Sequence, residues 1–422
     1  MGTRTYAIGS VALLAAAAWS PGDACAAEQV LYRFAGGNDG AQPAAGLIAD
    51  NQGNLYGTTS AGGGSGCGGT GCGTVFELSP KNGAWAETVL HVFESGKDGA
   101  EPVGGLISDA AGNLYGATVA GGDTRGCSGC GTVFEVSPMN GGWKETVLYA
   151  FSGKPKHHHD SNLFNPSGLA FGADGNLYGF SGGDCKKRGK LIHCDGGAFE
   201  LTQAQKNAWS ETIIYPFRSG FENPYGLPVF DAGGNLYGLA EIDFGAVFQL
   251  QPPTGQGAWT GSIAYAFQDG NDGAIPSPGL AFDTSGNLYG ATVGWQSVPA
   301  TVFELTPAQN GPWTETTLYT FADSADGTDP AAGPVVGTDG DLYGTTRSGG
   351  QNGHGVVYAL SPQNGGWSES VLYSFAGGSD GAAPAAGLLM GKDNALYGTT
   401  LAGGNTGCAG GAGCGTVFEV NP

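Results

Sequence analysis

Two short segments of the chain concentrate side chains that could bind an anion or a metal ion. They hold six of the 16 Lys and Arg residues and four of the six His residues of a chain whose formal net charge is -21. Clustered basic side chains predict a binding site for an acidic polysaccharide, phosphate or a lipid headgroup. The residues are Lys154, Lys156, His157, His158, His159, Lys186, Lys187, Arg188, Lys190 and His193.

Two other interpretations of these segments stay open. Imidazole is a ligand for zinc, copper and nickel, so His157, His159 and His193 predict a transition-metal site as an alternative. Successive residues of an extended segment point in opposite directions, so at most two of three consecutive histidines would share one ion. Surface loops also tolerate changes of composition, and the charges could then have no ligand at all.

A set of aspartates recurs in the pattern Asp-Gly-x-x-Pro, each five residues after a phenylalanine. Asp-Gly is typical of a tight turn, and the proline then suits the start of a strand. Alternatively, a ring of carboxylates around a channel mouth would attract a cation, and calcium is the cofactor that flexible oxygen ligands favour. The residues are Asp39, Asp98, Asp272, Asp326 and Asp380.

Eight of the nine cysteines form close pairs in glycine-rich segments, while Cys25 stands apart near the N-terminus. Two to eight residues separate the partners, and this variation favours local disulfides over a zinc site of defined geometry. Disulfides persist in oxidising compartments, so these cysteines predict an exported protein. The pairs are Cys67 and Cys72, Cys127 and Cys130, Cys185 and Cys194, and Cys408 and Cys414.

The N-terminus predicts export as well. Arg4 precedes an apolar run from Ile8 to Trp19, and Ala24-Cys25-Ala26 fits a cleavage site. We therefore interpret residues 1–26 as a removed signal peptide. The run is shorter than the roughly 20 residues of a membrane span. We expect a monomer without a membrane span, in the periplasm or outside the cell.

Composition separates the classes of function. With 37 acidic against 16 basic residues, the chain is not expected to bind nucleic acid, which requires Lys and Arg to neutralise phosphates. No H-E-x-x-H or Walker pattern occurs. A glycoside hydrolase needs two carboxylates placed across a sugar, but no local pattern identifies such a pair. His91 replaces a tyrosine in a repeated strand and His354 lies in a connecting segment, and neither has an evident nucleophile beside it.

Leu-Tyr-Gly occurs seven times and reveals the elements that must position these residues. Each copy lies among four short segments rich in Val, Thr, Tyr and Phe, which predict strands. Four strands in a repeat of about 55 residues are typical of a β-propeller blade. The tyrosines are Tyr56, Tyr115, Tyr178, Tyr237, Tyr289, Tyr343 and Tyr397. We therefore predict an all-β, seven-bladed β-propeller with four antiparallel strands per blade, A to D from the axis outward, as a single domain over residues 27–422.

The two ends of the repeat array predict how the ring closes. Residues 28–34 match strand D, whereas the last repeat ends after strand C at residues 416–420. The N-terminal strand should therefore complete the C-terminal blade and leave no exposed sheet edge. In this strand order the D–A and B–C connections share one face. Both basic segments belong to blade three and would lie side by side there.

Two further repeated features have structural interpretations. The A–B connections, such as Asp109 to Asn113, carry Asp, Gly and Asn at positions that favour tight turns. Tryptophans recur at a constant distance before the phenylalanine that ends strand D, and we expect them to pack between blades rather than to stack on sugars. They are Trp85, Trp143, Trp209, Trp259, Trp313 and Trp367.

The repeated combination resembles a family of bacterial exported proteins, the choice-of-anchor tandem repeat GloVer proteins. The resemblance rests on Leu-Tyr-Gly, on the Leu-Tyr-x-Phe of strand D, and on Gly73-Thr74-Val75-Phe76-Glu77-Leu78 and its copies, and it covers residues 28–422. It implies an exported repeat protein without assigned catalytic residues. We accordingly expect a binding or scaffold module whose partner is an extracellular glycan, another anion or a protein. A carbohydrate-active enzyme, a glycoside hydrolase or lyase, is the alternative.

Overall fold

The computed structural model describes residues 28–122, 129–152, 163–188, 191–204, 208–217, 222–255, 257–308, 312–322, 324–408 and 411–422, with backbone alone between 184 and 195. Within these ranges the chain forms 30 strands and a single-turn 3-10 helix, Cys67–Gly69. The strands make seven antiparallel sheets arranged as the blades of a propeller. The predicted fold class is confirmed.

Each blade pairs its strands in chain order. Blade one contains β2 (Ile48–Ala49), β3 (Leu55–Thr59), β4 (Thr74–Lys81) and β5 (Ala84–Val92). Blade two contains β6 (Ala100–Ser108), β7 (Leu114–Ala120), β8 (Thr132–Met139) and β9 (Gly142–Ala150). Blade three contains β10 (Leu163–Phe171), β11 (Leu177–Arg188), β12 (Leu191–Gln203) and β13 (Trp209–Phe217). Blade four contains β14 (Pro224–Phe230), β15 (Leu236–Ala240), β16 (Ala246–Gln251) and β17 (Thr260–Ala266). Blade five contains β18 (Ala281–Phe282), β19 (Leu288–Thr292), β20 (Thr301–Thr306) and β21 (Thr314–Thr320).

Strand A is divided into two pieces in the last two blades. Blade six contains β22 (Thr328–Pro330), β23 (Val335–Val336), β24 (Leu342–Ser348), β25 (Val356–Gln363) and β26 (Gly366–Ser374). Blade seven contains β27 (Ala382–Pro384), β28 (Leu389–Met390), β29 (Leu396–Ala402) and β30 (Thr416–Val420), and β1 (Glu28–Arg33) is its outermost strand.

The N-terminal strand closes the ring as predicted. Strand β1 runs antiparallel to β30, with Glu28 opposite Val420 and Arg33 opposite Thr416. Leu31 of β1 and Phe34, which follows the strand, are buried in a core that also contains Phe76 of blade one. The first strand therefore completes blade seven and packs against blade one.

An aromatic pair joins each blade to the next. The phenylalanine after strand D lies edge-on to the aromatic residue of the following blade's strand C, with ring centroids 4.8–5.4 Å apart. The pairs are Phe34 with Phe76, Phe93 with Phe134, Phe151 with Phe199, Phe217 with Phe248, Phe267 with Phe303, Phe321 with Tyr358, and Phe375 with Phe418. Such pairs add roughly 0.5–1.5 kcal/mol to the burial of their area.

The glycine of Leu-Tyr-Gly makes room for that ring. Gly116 lies opposite Phe134 in the β7–β8 register. A Cβ on Gly116 would stand 2.5 Å from Cζ of Phe134 and 3.0 Å from Leu106. The repeated glycine is thus explained by the close approach of the aromatic ring.

The tyrosine of the same motif packs against the tryptophan of the next blade. Tyr56 contacts Trp143 with ring centroids 6.2 Å apart, and Tyr237 contacts Trp313 at 5.4 Å. Trp85 closes the same contact onto Tyr397 of blade seven. The interpretation of these tryptophans as packing between blades is confirmed.

The A–B connections are the predicted Asp turns. Oδ1 of Asp109 accepts the backbone N–H groups of Ala111 and Asn113, both at 2.9 Å, and Oδ2 accepts Nδ2 of Asn113 at 2.8 Å and the hydroxyl of Tyr115 at 3.1 Å. Burial is the largest single influence on the pKa of Asp109 and acts to raise it, but these bonds to the carboxylate together hold that pKa below its usual value.

The D–A and B–C connections share one face of the ring. In four junctions a glycine N–H of the B–C connection donates to a carbonyl of the preceding D–A connection, at 2.5–2.8 Å. The pairs are Gly64 with Gly37, Gly122 with Gly96, Gly350 with Ser324, and Gly404 with Gly378. We name the side that these connections form the loop face.

Deletion of residues 28–34 is expected to unfold or oligomerise the protein. The deletion removes buried Leu31 and Phe34 and exposes the edge of β30. Truncating one buried phenylalanine costs about 3–5 kcal/mol, a large part of a typical stability of about 5–15 kcal/mol. Size-exclusion chromatography and thermal unfolding measure the effect, and a monomeric variant with an unchanged Tm would contradict the closure.

A circular permutant provides the matched control. Residues 28–34 are moved behind Pro422 and joined through a copy of residues 139–144, so that eight residues separate Val420 from Glu28, as eight separate Val136 from Glu145 in blade two. Because Glu28 already lies opposite Val420, the short hairpin should restore a monomer with a cooperative transition.

Gly116→Ala is expected to lower stability by about 1–3 kcal/mol, the usual cost of overpacking a core. The added methyl group would press against Phe134. Gly366→Ala is the control, because Gly366 also lies in a strand but nothing stands within 4 Å of its Cβ position. Urea unfolding compares the two variants, and equal stabilities would contradict the packing argument.

Candidate functional site

The basic residues of blade three are only partly within the described residues. Lys154, Lys156, His157, His158, His159 and Lys190 lie outside them. Lys186, Lys187 and Arg188 belong to β11 and His193 to β12, where only the backbone is described.

The second basic segment forms a hairpin. Lys186 lies opposite His193 and Arg188 opposite Leu191. The sequence places this segment in the connection between strands B and C, and in the structure β11 and β12 extend into it as paired strands. Antiparallel pairing satisfies backbone groups that a loop would leave to solvent. The pairing brings three consecutive basic residues and a histidine to the end of one two-stranded ribbon.

The five Asp-Gly aspartates have hydrogen-bond partners within their own connections. In each, the carboxylate accepts a backbone N–H from the residue four positions earlier, at 2.5–3.2 Å. In four of them it also accepts a tyrosine hydroxyl from seven positions earlier, at 2.5–2.9 Å: Tyr32 with Asp39, Tyr265 with Asp272, Tyr319 with Asp326, and Tyr373 with Asp380. The aspartates thus cap the end of strand D, and a calcium ion on them stays a prediction.

The residue before the proline at the start of strand A ties adjacent blades together. The residue before the proline has a positive φ of 53–57° in five junctions, and its N–H donates to a carbonyl of the preceding blade's B–C connection at 2.7–3.0 Å. These residues are Gln42, Glu101, Asn165, Ile275 and Ala383. A left-handed conformation before proline is unfavourable, so packing of the whole junction must maintain it.

A glutamate from the next blade's strand D faces each of these aspartates. The pairs are Asp39 with Glu87, Asp98 with Glu145, Asp272 with Glu315, Asp326 with Glu369, and Asp380 with Glu28. One oxygen of Glu28, Glu87, Glu145 and Glu369 is shielded from solvent without a hydrogen bond. Paired carboxylates therefore line the outer side of several junctions, where strands D of successive blades meet.

Burial raises the pKa of these glutamates first, and the neighbouring aspartate raises it further. The pKa reaches about 7 for Glu28, Glu87, Glu145 and Glu369. A carboxyl that titrates near neutrality can hold or release a proton at physiological pH. These pairs were missed from the sequence, because the two acids of each pair belong to different repeats.

One junction differs chemically from the others. His91 of β5 occupies the position of the capping tyrosine, and its Nε2 lies 3.1 Å from Oδ1 of Asp98. The other oxygen of Asp98 accepts the backbone N–H of Glu94 at 2.7 Å. One ligand atom each from His91, Asp98 and Glu145 all lie within 4.8 Å of one another. The sequence signal was the histidine in a tyrosine position seven residues before an aspartate.

Two of the predicted disulfides are confirmed. Cys67 is bonded to Cys72 and Cys408 to Cys414. Cys130 is also disulfide-bonded, while Cys127 lies outside the described residues. Cys185 is opposite Cys194 in the β11–β12 register, but the side chains of both lie outside the described part, so that bond stays a prediction. No helix among the described residues is long and apolar enough to cross a membrane.

Glu87→Gln is expected to stabilise the protein at pH 8 and to change little at pH 5. The folded pKa of about 7 lies above the unfolded value of 4.5, so the folded state binds more protons between them. The stability of the unsubstituted protein therefore falls as the pH rises from about 4.5 to about 7. Gln cannot ionise and avoids that loss, which is on the order of 1 kcal/mol after solvent screening.

Thermal unfolding at the two pH values measures the difference. Glu101→Gln is the control, since the side chain of Glu101 is exposed, and it should have the same small effect at both values. An equal effect of Glu87→Gln at pH 5 and pH 8 would contradict the raised pKa.

Comparison with solved structures finds matches at low sequence identity. A candidate oxidoreductase (glucose dehydrogenase) from Thermus thermophilus is 16% identical, with 94% of this chain and 100% of that chain covered and a TM-score of 0.39. A candidate 6-phosphogluconolactonase from Bacteroides uniformis is 13% identical, with coverages of 78% and 83% and a TM-score of 0.49. A xylan β-1,4-xylosidase from Bacillus halodurans is 14% identical, with coverages of 64% and 54% and a TM-score of 0.36.

Comparison with curated proteins finds no match. The family model described as the Gloeobacter/Verrucomicrobia repeat matches residues 21–192 and 293–422. Blade four and its flanks lie between the two matches but have the same four-stranded architecture. Because the two matches cover most of the sequence, this chain belongs to the Gloeobacter/Verrucomicrobia repeat family.

Proposed function

We propose that this protein is an exported binding propeller that holds an acidic glycan or a related polyanion at blade three. The observation that carries the proposal is the β11–β12 hairpin, whose strands have 12 and 13 residues, whereas the equivalent B strands elsewhere have 5–7. Lys186, Lys187 and Arg188 are at the end of this ribbon and His193 is paired with Lys186.

The charge of the rest of the chain favours an anionic ligand at this position. Six of 16 cationic side chains fall in two segments of a protein with a net charge of -21. An anion is repelled by most of the surface and attracted where basic residues concentrate. Four other junctions pair their D–A and B–C connections on the loop face, which supports placing residues 153–162 beside the hairpin.

The export part of the proposal rests on the cysteines and the N-terminus. The bonds Cys67–Cys72 and Cys408–Cys414 are typical of proteins from oxidising compartments. The signal peptide at residues 1–26 lies outside the described residues, and the mature domain would begin at 27. The periplasm and the cell exterior both satisfy these requirements.

Replacing Lys186, Lys187, Arg188 and Lys190 with Gln is expected to weaken binding of polygalacturonate by about fourfold or more. Exposed ion pairs contribute roughly 0.2–1 kcal/mol each, so four of them sum to about 1–4 kcal/mol. Isothermal titration at pH 5.5 and 7.5 measures the affinity, with neutral dextran as the ligand control. Binding should strengthen at pH 5.5, because histidine becomes protonated near its usual pKa of about 6.5.

A charge-matched variant separates this site from net charge. Lys81, Lys97, Arg347 and Lys392 are outside the hairpin, and their replacement with Gln changes the total charge equally. This control should retain the affinity of the unsubstituted protein. Equal losses in both variants would contradict a site at blade three. New reducing ends in the polygalacturonate would instead favour the carbohydrate-active enzyme.

A further inference from the structure

The junction between blades one and two holds three ligand groups that no other described junction combines. His91 lies near the end of the outer strand β5 of blade one, and Asp98 follows in the connection to blade two. Glu145 belongs to β9, the outer strand of blade two. The cluster therefore spans two blades, with a nitrogen and two carboxylates within 4.8 Å of one another.

The distances suit a small divalent ion. Zinc binds histidine nitrogen and carboxylate oxygen at about 2.0–2.2 Å in a tetrahedral arrangement, which places neighbouring ligand atoms about 3.3 Å apart. Nε2 of His91 and Oδ1 of Asp98 are already 3.1 Å apart. The ligand atoms of all three residues lie within 4.8 Å of one another, so an ion would have to draw the most widely separated pair closer to reach the tetrahedral distance.

One carboxylate oxygen of the cluster has no hydrogen-bond partner that would offset its burial. Oε1 of Glu145 is shielded from solvent and has no hydrogen-bond partner among the described residues. Its carboxyl also faces the charge of Asp98, whose influence is larger than that of the adjacent Lys144. A dication would satisfy the orphan oxygen and remove the repulsion between the two carboxylates.

The support around the ligands is already in place. The backbone N–H of Glu94 holds the second oxygen of Asp98 at 2.7 Å, and Phe93 packs edge-on against the His91 ring at 4.7 Å. Such outer contacts fix ligand orientation in metal sites. The side chains of His91 and Asp98 are 18% and 23% exposed, which leaves a path from solvent.

We propose that His91, Asp98 and Glu145 bind a divalent transition-metal ion, with zinc as the best match, and that the ion clasps blade one to blade two. Imidazole with two carboxylates suits zinc better than calcium, which prefers oxygen ligands alone. The equivalent junction of Tyr32, Asp39 and Glu87 has a phenol in place of imidazole. Burial raises the pKa of Tyr32, so its phenolate is not available as a ligand.

Zinc titration of the folded protein tests the proposal. The parent is the protein with His157, His158 and His159 replaced by Ala, stripped with chelator, because those residues form a competing candidate site. Isothermal titration with zinc chloride at pH 7.5 should find one equivalent bound, and zinc should raise the Tm. No binding by this parent would overturn the proposal.

His91→Tyr in the same background is the decisive variant. It restores the residue of the other junctions, so it should fold with the Tm of the metal-free parent. Loss of an outer-shell partner costs about 10–100-fold in metal affinity, so losing a ligand should weaken zinc binding by at least that factor. Zinc should no longer raise the Tm. An affinity within about threefold of the parent would overturn the assignment.

Glu145→Gln and Tyr32→His test the other two requirements. Glu145→Gln should weaken zinc binding without changing the aromatic packing, and retained affinity would exclude Glu145 as a ligand and with it the clasp between blades. Tyr32→His copies the cluster at the Asp39 and Glu87 junction and should raise the stoichiometry to two. A stoichiometry that stays at one would contradict the claim that these three residue types at this geometry suffice.

Discussion

The stacking of an aromatic ring over a glycine is the interaction on which the rest of this structure depends. In every blade the strand-C ring covers the glycine of Leu-Tyr-Gly, at distances of 2.3–2.7 Å from where a Cβ would be. The phenylalanine that ends the preceding blade packs edge-on against the same ring. One contact therefore connects two strands of a blade and two successive blades. Its sevenfold repetition, with β1 as the final strand, joins the last blade to the first.

The outer side of each junction is chemically variable because the inner packing already holds the blades. Most junctions there carry a tyrosine, an aspartate and a glutamate, and burial together with the facing aspartate raises the pKa of the glutamate. Blade four has Gly261 in the glutamate position, with Tyr215 packed over it. The junction of His91 has an imidazole instead of the phenol. Substitutions on the outer side of a junction change its titratable and ligating groups without disturbing the aromatic contacts, as expected when functional sites vary on a constant fold.

The loop face combines rigid and extended parts. Disulfides such as Cys67–Cys72 hold short connections, and carbonyls of Cys72, Cys130 and Cys414 accept N–H groups from the following blade. The positive φ before each proline persists because these bonds and the packing of the proline oppose its relaxation. Blade three departs from this compact arrangement with its long hairpin. A ribbon beyond the packed blade can carry charge without affecting the core.

The sequence by itself determined the fold, whereas only the tertiary structure decided which distant side chains meet. The seven copies of Leu-Tyr-Gly predicted the number of blades, and the strand types at the two ends of the repeat array predicted the closure by Glu28–Arg33. Such signals are local or periodic, so they can be recognised along the chain. The Asp109 turn was predictable for the same reason. Glu145 reaches His91 and Asp98 across a junction between repeats, and no local pattern specifies such a contact, since it depends on how one blade's outer strand sits against the next blade's connection. Pairing of β11 with β12 likewise formed a ribbon where the sequence suggested a loop, and backbone hydrogen bonding between two strands, rather than residue preference, made that difference.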